Sequence, residues 1–360
     1  MTLTQVAASA GVSTATAARA LGGYGSVRPV TRDLVREAAA RLGYRANGLA
    51  RSMITGSTRT IGVVVSDIEN AFFSRALRGV SGVARRHGYE VVLVNTDEDA
   101  EAERTAVRVL MERRVDGLVV SPGPSAGAGH LHAVRRSGTP LVLLDRRIAG
   151  LAADSVGIDN HEAACTATDH LLALGHRRIA LVTGSPPGTA AILKSRPGLR
   201  GIEKIVGATV GLRAAGYRDA LVAQGVDPDL RFVTGEGFHL HEAAAATRQL
   251  MALPEPPTAI IALDSVLSLG VLQALDDMQV PSPQTVSVIG FDDADWAEAV
   301  SPALTVIAQP AHEIGETAGE LLISRIAGSR RRPVHRQLPT TFVGRASTGP
   351  APSGEFAAVR

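Results

Sequence analysis

Basic side chains are concentrated at the start of this 360-residue chain. The first 60 residues contain eight arginines and two acidic residues, Asp33 and Glu37, for a net charge of +6. The other 300 residues contain 29 basic and 33 acidic side chains. Guanidinium groups bind phosphate oxygens through paired hydrogen bonds, so a basic segment on an acidic body is typical of a nucleic-acid-binding arm.

Aspartates form the second group of candidate functional residues. Asp145, Asp264 and Asp292 end the apolar runs PLVLLD, TAIIALD and VSVIGFD, and Phe72 and Phe73 follow the run IGVVV. Each run predicts a β-strand, and ligands of open α/β sheets bind beyond the carboxyl ends of the strands. These side chains are therefore candidate ligand contacts. Capping of the following helix is the ordinary alternative for an aspartate at such a place.

Strand-like and helix-like runs alternate from residue 60 onward, which predicts parallel βαβ units. A first series runs from IGVVV to PLVLLD, and a second begins near HEAACTATDHLLALGH. We therefore predict an α/β body of two doubly wound parallel-sheet lobes over residues 60–344, similar to periplasmic binding proteins. Segment 185–210 is rich in Pro and Gly and predicts a loop, and residues 345–360 predict a disordered tail.

Residues 1–45 predict an all-α head that precedes this body. Thr2 and Gln5 have the spacing of a capping box, and Gly11 followed by Ser13 predicts a tight turn between two helices. This spacing is that of a helix-turn-helix, whose second helix enters the major groove of DNA. A small helical subdomain without DNA contacts is the alternative.

Two longer motifs make the resemblance specific. The patterns T-L-x-x-V-A-x-x-A-G-V-S-x-A-T-x-x-R and T-R-x-x-V-x-x-A-x-x-x-L-G-Y-R-x-N-x-L-A-R-S resemble the LacI/GalR family of bacterial transcriptional repressors, and the resemblance covers essentially the full chain. It implies a hinge helix and linker at residues 46–59, where Met53 would enter the minor groove between base pairs. The implied DNA-binding residues are Thr4, Ser13, Thr14, Ala15, Thr16, Arg19, Tyr44, Asn47, Leu49, Ala50, Arg51 and Met53.

The same resemblance implies an effector pocket between the two lobes. Carboxylates and a guanidinium group suit the hydroxyl groups of a carbohydrate or nucleoside, and aromatic rings suit its apolar face. Leu263 departs from the family, which often has asparagine at this position. The resemblance implies Asp145, Arg213, Phe238 and Asp292 as effector-binding residues, and the positions after the strands add Phe72, Phe73 and Asp264.

Several other functions are disfavoured by the sequence. It lacks the motifs of a phosphate-binding loop, a dinucleotide fingerprint and a nucleophile elbow, so we expect no enzyme activity and no cofactor. The pairs His130/His132 and His239/His241 are typical of solvated surface, so we expect no metal. The single cysteine, Cys165, excludes an internal disulfide, and the apolar runs are too short to cross a membrane.

We therefore expect a cytoplasmic, sequence-specific transcriptional repressor. It would bind a near-palindromic operator as a homodimer, and a carbohydrate or nucleoside effector in the cleft would gate that binding. The alternative is a cytoplasmic solute-binding module that does not regulate DNA. An enzyme on the same α/β body is the third possibility, and the basic head favours the first function over both others.

Overall fold

The computed structural model describes residues 1–22, 25–44, 56–123, 127–184, 208–234, 237 and 239–352. The head contains α1 (Leu3–Ser9), α2 (Thr14–Gly22) and α3 (Pro29–Arg41). The predicted capping box of Thr2 and Gln5 starts α1, because each side chain accepts a hydrogen bond from the other residue's amide. Gly11 then takes a left-handed conformation, with φ of 66°, which only glycine adopts without strain. The predicted helix-turn-helix is confirmed.

Small side chains let the three helices of the head pack closely. Their shared core includes Val6, Ala17 and Val35, all fully buried. Leu34 is 50% exposed, although its spacing on α3 suggests an inward position. Val35, Ala38 and Ala39 form the buried face of the helix, and Leu34 lies at its exposed edge.

Parallel strands and amphipathic helices alternate along the body. The strands are β1 (Thr60–Val65), β2 (Glu90–Asn95), β3 (Gly117–Val120), β4 (Leu141–Leu144), β5 (Asp154–Gly157), β6 (Ile179–Val182), β7 (Val233–Thr234), β8 (Ala259–Ala262), β9 (Ser287–Phe291), β10 (Thr305–Ala308), β11 (His335–Gln337) and β12 (Thr341–Val343). The helices are α4 (Ala71–Arg86), α5 (Ala100–Glu112), α6 (Gly129–Arg136), α7 (Asn160–Ala173), α8 (Ala208–Ala223), α9 (Leu240–Met251), α10 (Ser265–Asp277), α11 (Trp296–Ala299) and α12 (Ala311–Ile326).

The strands form two six-stranded sheets with the same internal order. The N-terminal lobe has the order β2-β1-β3-β4-β5-β11, and the C-terminal lobe has β7-β6-β8-β9-β10-β12. Neighbouring strands are parallel except β12, which runs antiparallel to β10. The predicted pair of doubly wound lobes is thus confirmed. β4 and β9 are each the fourth strand of their sheet in this order, so residues that follow them occupy equivalent positions in the two lobes.

Helix α12 lies in the chain between β10 and β12 of the C-terminal lobe but packs on the N-terminal lobe. Two glycines allow its close approach to α4, because a Cβ on Gly315 would overlap the Ala76 carbonyl and one on Gly79 would overlap the His312 carbonyl. The chain therefore crosses between the lobes more than once. Among the described helices, none is long and apolar enough to span a membrane.

The end of the chain departs from the sequence prediction. The expected disordered tail is wrong for residues 345–352, since Ser347 is fully buried and its hydroxyl accepts a hydrogen bond from the Thr305 amide at 2.7 Å. The Gly349 carbonyl accepts one from His176 Nε2 at 3.0 Å. Small residues fit against the C-terminal sheet here, which their composition does not indicate. Residues 353–360 lie outside the described part of the chain, as do residues 185–207 of the predicted loop, and α8 already begins at Ala208.

Candidate effector cleft and DNA-binding surface

A cleft between the lobes lies beyond the carboxyl ends of strands from both sheets. Its cavity has a volume of about 60 Å³, so its own side chains nearly fill it. Six of the predicted effector-binding residues line it, namely Phe72, Phe73, Asp145, Arg213, Asp264 and Asp292. The seventh, Phe238, lies outside the described residues.

The aromatic wall of the cleft is set by a helix cap. Asn70 accepts a hydrogen bond from the Phe72 amide at 3.0 Å and begins α4, so Phe72 and Phe73 occupy its first turn. Both side chains are buried, and their rings meet edge to face with centroids 5.1 Å apart. This rigid apolar surface suits the apolar face of a ring-shaped ligand.

Two aspartates face the cleft from matching turns of the two lobes. Asp145 follows β4 with φ of 64°, and Asp292 follows β9 with φ of 68°. Each donates its amide hydrogen to the next strand, Asp145 to the Val156 carbonyl at 2.8 Å and Asp292 to the Ile307 carbonyl at 2.9 Å. Left-handed conformations cost free energy for residues other than glycine and concentrate at functional sites. The repeated geometry aims one carboxylate from each lobe into the cleft.

Arg213, from α8, is the buried cation between these carboxylates. Its Nε donates to Asn160 Oδ1 at 2.8 Å, a terminal nitrogen donates to the Leu263 carbonyl, and the guanidinium lies 4.2 Å from the centre of the Phe291 ring. Burial lowers the pKa of Arg213, and the neighbouring carboxylates, Asp145 first among them, oppose that shift. The guanidinium is held in place by the protein rather than by solvent.

Asp264 combines the two roles that its sequence position allows. Its carboxylate accepts a hydrogen bond from the Leu267 amide at 2.7 Å and caps α10, and the same side chain lines the cleft. Burial raises the pKa of Asp264 to about 7 and that of Asp292 to about 6. Hydrogen bonds and Arg213 lower both values, but burial is the largest effect.

The cleft also contains polar residues that the sequence prediction missed. Arg146 forms a fork with Glu98, with nitrogen–oxygen distances of 2.7 and 2.6 Å. Gln309 donates to Asp292 at 2.7 Å, and Thr209 donates to Asp145 at 3.3 Å. Gln309 directly follows β10, and Arg146 is the second residue after β4. Both therefore have the same sequence signal as the aspartates, a polar side chain at the end of a strand. Glu98 has no such signal.

One cluster resembles a nucleophilic site but has the wrong electrostatics. Cys165 Sγ lies 3.7 Å from His161 Nδ1, and His161 Nε2 lies 3.0 Å from Asp219. Burial, followed by nearby carboxylates, raises the pKa of the Cys165 thiol to about 12. The thiol therefore stays protonated at neutral pH, whereas a catalytic cysteine needs its thiolate.

The head exposes most of the described residues that were predicted to contact DNA. Thr4, Ser13, Thr14, Ala15 and Arg19 are exposed, and Ala17 and Ala20 of α2 face the core. Ser13 accepts a hydrogen bond from the Thr16 amide at 3.1 Å, which fixes the start of α2, while Thr16 and Tyr44 are half-buried. The predicted contacts Asn47, Leu49, Ala50, Arg51 and Met53 lie outside the described residues.

Comparison with known proteins agrees with both parts of this architecture. Residues 2–47 match the family described as bacterial regulatory proteins, lacI family, and residues 168–348 match the periplasmic binding protein-like domain. The chain is 34% identical to the HTH-type transcriptional regulator PtxS of Pseudomonas aeruginosa over 352 residues, 97% of this chain and 96% of PtxS. The chain belongs to the LacI family. It is a DNA-binding transcriptional regulator and not an enzyme.

Two solved structures of the family are similar over nearly the whole chain. The lac repressor dimer bound to operator and an anti-inducer has a TM-score of 0.79 and 25% identity, and covers 97% of this chain and 99% of its own. The complex of the transcriptional regulator CelR with cellobiose has a TM-score of 0.69 and 29% identity, and covers 96% of this chain and 99% of its own. The first of these shares the arrangement of a helical head on two lobes.

Proposed function

We propose that this LacI-family regulator represses transcription as a homodimer on a near-palindromic operator, and that a carbohydrate or nucleoside in the cleft gates its binding. The observation that carries the proposal is the cleft itself, in which both lobes present a carboxylate from matching left-handed turns. The same chain carries an exposed helix-turn-helix within a first segment of 60 residues that contains eight arginines. The lac repressor dimer on its operator and the CelR–cellobiose complex support the homodimer and the carbohydrate.

In this proposal, the exposed start of α2 reads base edges. Thr14 and Ala15 are small enough to approach bases in the major groove, and Arg19 reaches guanine or a phosphate. Met53 acts as the apolar wedge in the minor groove between the two half-sites. A dimer brings two heads together, so its two-fold symmetry requires a near-palindromic site. Since its target is bacterial DNA, we propose that the protein acts in the cytoplasm.

Asp116 provides a route from the cleft to the head. Its carboxylate accepts hydrogen bonds from the side chain of Ser57, from the amide and hydroxyl of Thr58 at 2.8 and 3.0 Å, and from the Arg59 amide at 3.0 Å. The end of the linker is thereby tied to the N-terminal lobe. Movement of that lobe, when an effector closes the cleft, moves the linkers of both subunits and changes the free energy of ordering the hinge on DNA.

The proposal is tested by selecting bound DNA from a random duplex pool with the full-length protein at moderate salt. We expect enrichment of a near-palindrome with a constant centre, and an affinity for it that falls with salt at a log–log slope of about −0.9 per neutralised phosphate. Arg19→Ala and Met53→Ala should weaken this binding. No enriched sequence, or an affinity independent of salt, would contradict the proposal.

A further inference from the structure

The described lining of the cleft contains more negative than positive groups. Two guanidinium groups, those of Arg146 and Arg213, face five carboxylates. These are the side chains of Asp67, Glu98, Asp145, Asp264 and Asp292. An anionic ligand would therefore need a guanidinium that these carboxylates leave available.

The guanidinium group of Arg146 is already hydrogen-bonded to other groups of the protein. Glu98 binds both of its terminal nitrogens in the fork geometry, at 2.7 and 2.6 Å, and one of them also donates to the Pro122 carbonyl at 3.1 Å. The two side chains are only 10% and 13% exposed, so water screens the pair weakly. Burial is the largest single effect and lowers the pKa of Arg146, but the charge and hydrogen bonds of Glu98, together with the charges of Asp145 and Glu103, raise this pKa overall. An anionic substituent would have to displace Glu98 to reach this guanidinium.

Arg213 is committed in the same way. Two of its nitrogens donate to Asn160 and to the Leu263 carbonyl, and three aspartates of the cleft stabilise its positive charge. Its face is covered by the Phe291 ring. Arg213 therefore balances the carboxylates that are already there, and a further negative charge would meet net repulsion.

The remaining polar atoms of the cleft call for hydrogen-bond donors. Gln309 Oε1 is buried and has no hydrogen-bond partner, while its Nε2 donates to Asp292. A buried acceptor without a donor costs free energy, which a hydroxyl or ammonium group of a ligand would recover. Aspartate oxygens from both lobes accept hydrogen bonds in addition. A ligand with several donors and no negative charge fits this set of atoms.

We propose that Glu98 is a specificity-determining residue of the cleft: it occupies the Arg146 guanidinium and so restricts the effector to neutral or cationic polyhydroxylated molecules. This inference rests on the proposed function, in which the cleft binds the effector. Beyond the proposed function, it specifies which charge the effector can have and which residue selects for that charge. Glu98 acts through Arg146 and through its own charge.

The inference can be tested by calorimetry on the full-length protein with a panel of common aldoses, each paired with its aldonate and its 2-amino sugar. We expect the wild-type protein to bind the neutral or amino member at least about tenfold more tightly than the aldonate of the same sugar. Glu98→Gln keeps the shape of the side chain and removes its charge. It should shift the ratio of affinities toward the aldonate by about tenfold.

Glu101→Gln is the matched control, because Glu101 lies three residues after Glu98, in the first turn of α5, and pairs with Arg104 at the exposed surface. It should leave the ratio unchanged. Aldonates that bind the wild-type protein as tightly as their aldoses would overturn the inference, as would an unchanged ratio in Glu98→Gln. The wild-type ratio decides the question even if Glu98→Gln fails to fold. If no member of the panel binds, the carbohydrate part of the proposed function is contradicted instead.

Discussion

The two lobes share a frame but differ in how they balance charge at the cleft. At matching positions, Asp145 and Asp292 have the same left-handed turn and the same amide hydrogen bond to the next strand. In the N-terminal lobe, Asp145 is followed by Arg146, which Glu98 neutralises. In the C-terminal lobe, burial raises the pKa values of Asp264 and Asp292, the charge of Asp292 raises that of Asp264 further, and Arg213 of α8 is their buried cation.

Because of this difference, we expect the two lobes to contribute unequally to stability and to ligand binding. The N-terminal lobe offers a preformed ion pair that stabilises its loops, together with the rigid aromatic wall. The C-terminal lobe stores unfavourable free energy in two buried carboxylates with elevated pKa values, which donor groups of a ligand would relieve. Stability is thus expected to reside on one side of the cleft and ligand response on the other.

The largest expected effect is on the C-terminal side, from Arg213→Ala. Removal of the guanidinium leaves buried carboxylates without their cation, so effector affinity should fall by about two orders of magnitude or more. Calorimetric titration with the best sugar of the panel measures this. Operator affinity should be unchanged, because the core of the head is a cluster separate from the body. The control Arg248→Ala removes an exposed arginine of the same lobe, and an equal loss in both variants would contradict a specific role for Arg213.

Glu98→Gln should reveal the opposite role of the N-terminal side. Breaking one half of a nearly buried ion pair leaves Arg146 without its partner, so we expect the free energy of unfolding to fall by about 3 kcal/mol. Denaturant unfolding at pH 7.5 measures this change. An unchanged midpoint would show that the pair does not stabilise the lobe, and Glu101→Gln serves again as the exposed control.

Asp264→Asn should stabilise the protein, by roughly 2 kcal/mol at pH 8. The pKa of Asp264 is about 7 in the folded protein and 3.8 without the fold, so its contribution to stability is present at low pH and is lost as the pH rises through 7. Asparagine keeps the cap on α10 and carries no charge. The advantage of the variant should therefore shrink as the pH is lowered toward 4, and thermal melts at several pH values would show it. A constant difference at every pH would refute the assigned cause.

The smallest expected effect concerns the connection between the N-terminal lobe and the linker. Asp116→Asn removes the charge and replaces one of the two oxygens that accept hydrogen bonds from residues 57–59 with an NH2 group, which cannot accept them. We expect effector affinity to stay the same, while the change in operator affinity caused by the effector falls by several-fold. Fluorescence anisotropy with labelled operator measures both. Full coupling in this variant would exclude Asp116 from the route between cleft and head.

The sequence predicts the fold well and the cleft in part. The capping box at Thr2, the turn at Gly11 and the alternation of strands and helices are local signals, and they identify the head and both lobes. The aspartates at strand ends can also be predicted as cleft residues, because parallel strands end at a common edge. The role of Glu98 cannot be predicted in this way. It depends on the distance between Arg146 and the loop after β2, and tertiary packing sets that distance.

The end of the chain shows the same limit. Residues 345–352 have the composition of a flexible tail, yet Ser347 is buried because its hydroxyl satisfies backbone groups of β9 and β10. Composition reports how much apolar surface a segment can bury, and it does not report whether a small polar side chain fits between two strands. Leu34 of α3 is 50% exposed. It similarly shows that helical spacing alone does not decide which apolar residues at the edge of a helix face are buried.

The most direct test of the account is a reciprocal binding measurement on the full-length protein. Operator affinity would be measured with and without the tightest-binding neutral sugar of the panel, and the affinity for that sugar with and without the selected operator. If the cleft gates the head, both affinities change by one and the same factor, in the range of about 5–150 that coupled sites show. A factor of one in both directions would contradict the central claim that the cleft gates the head.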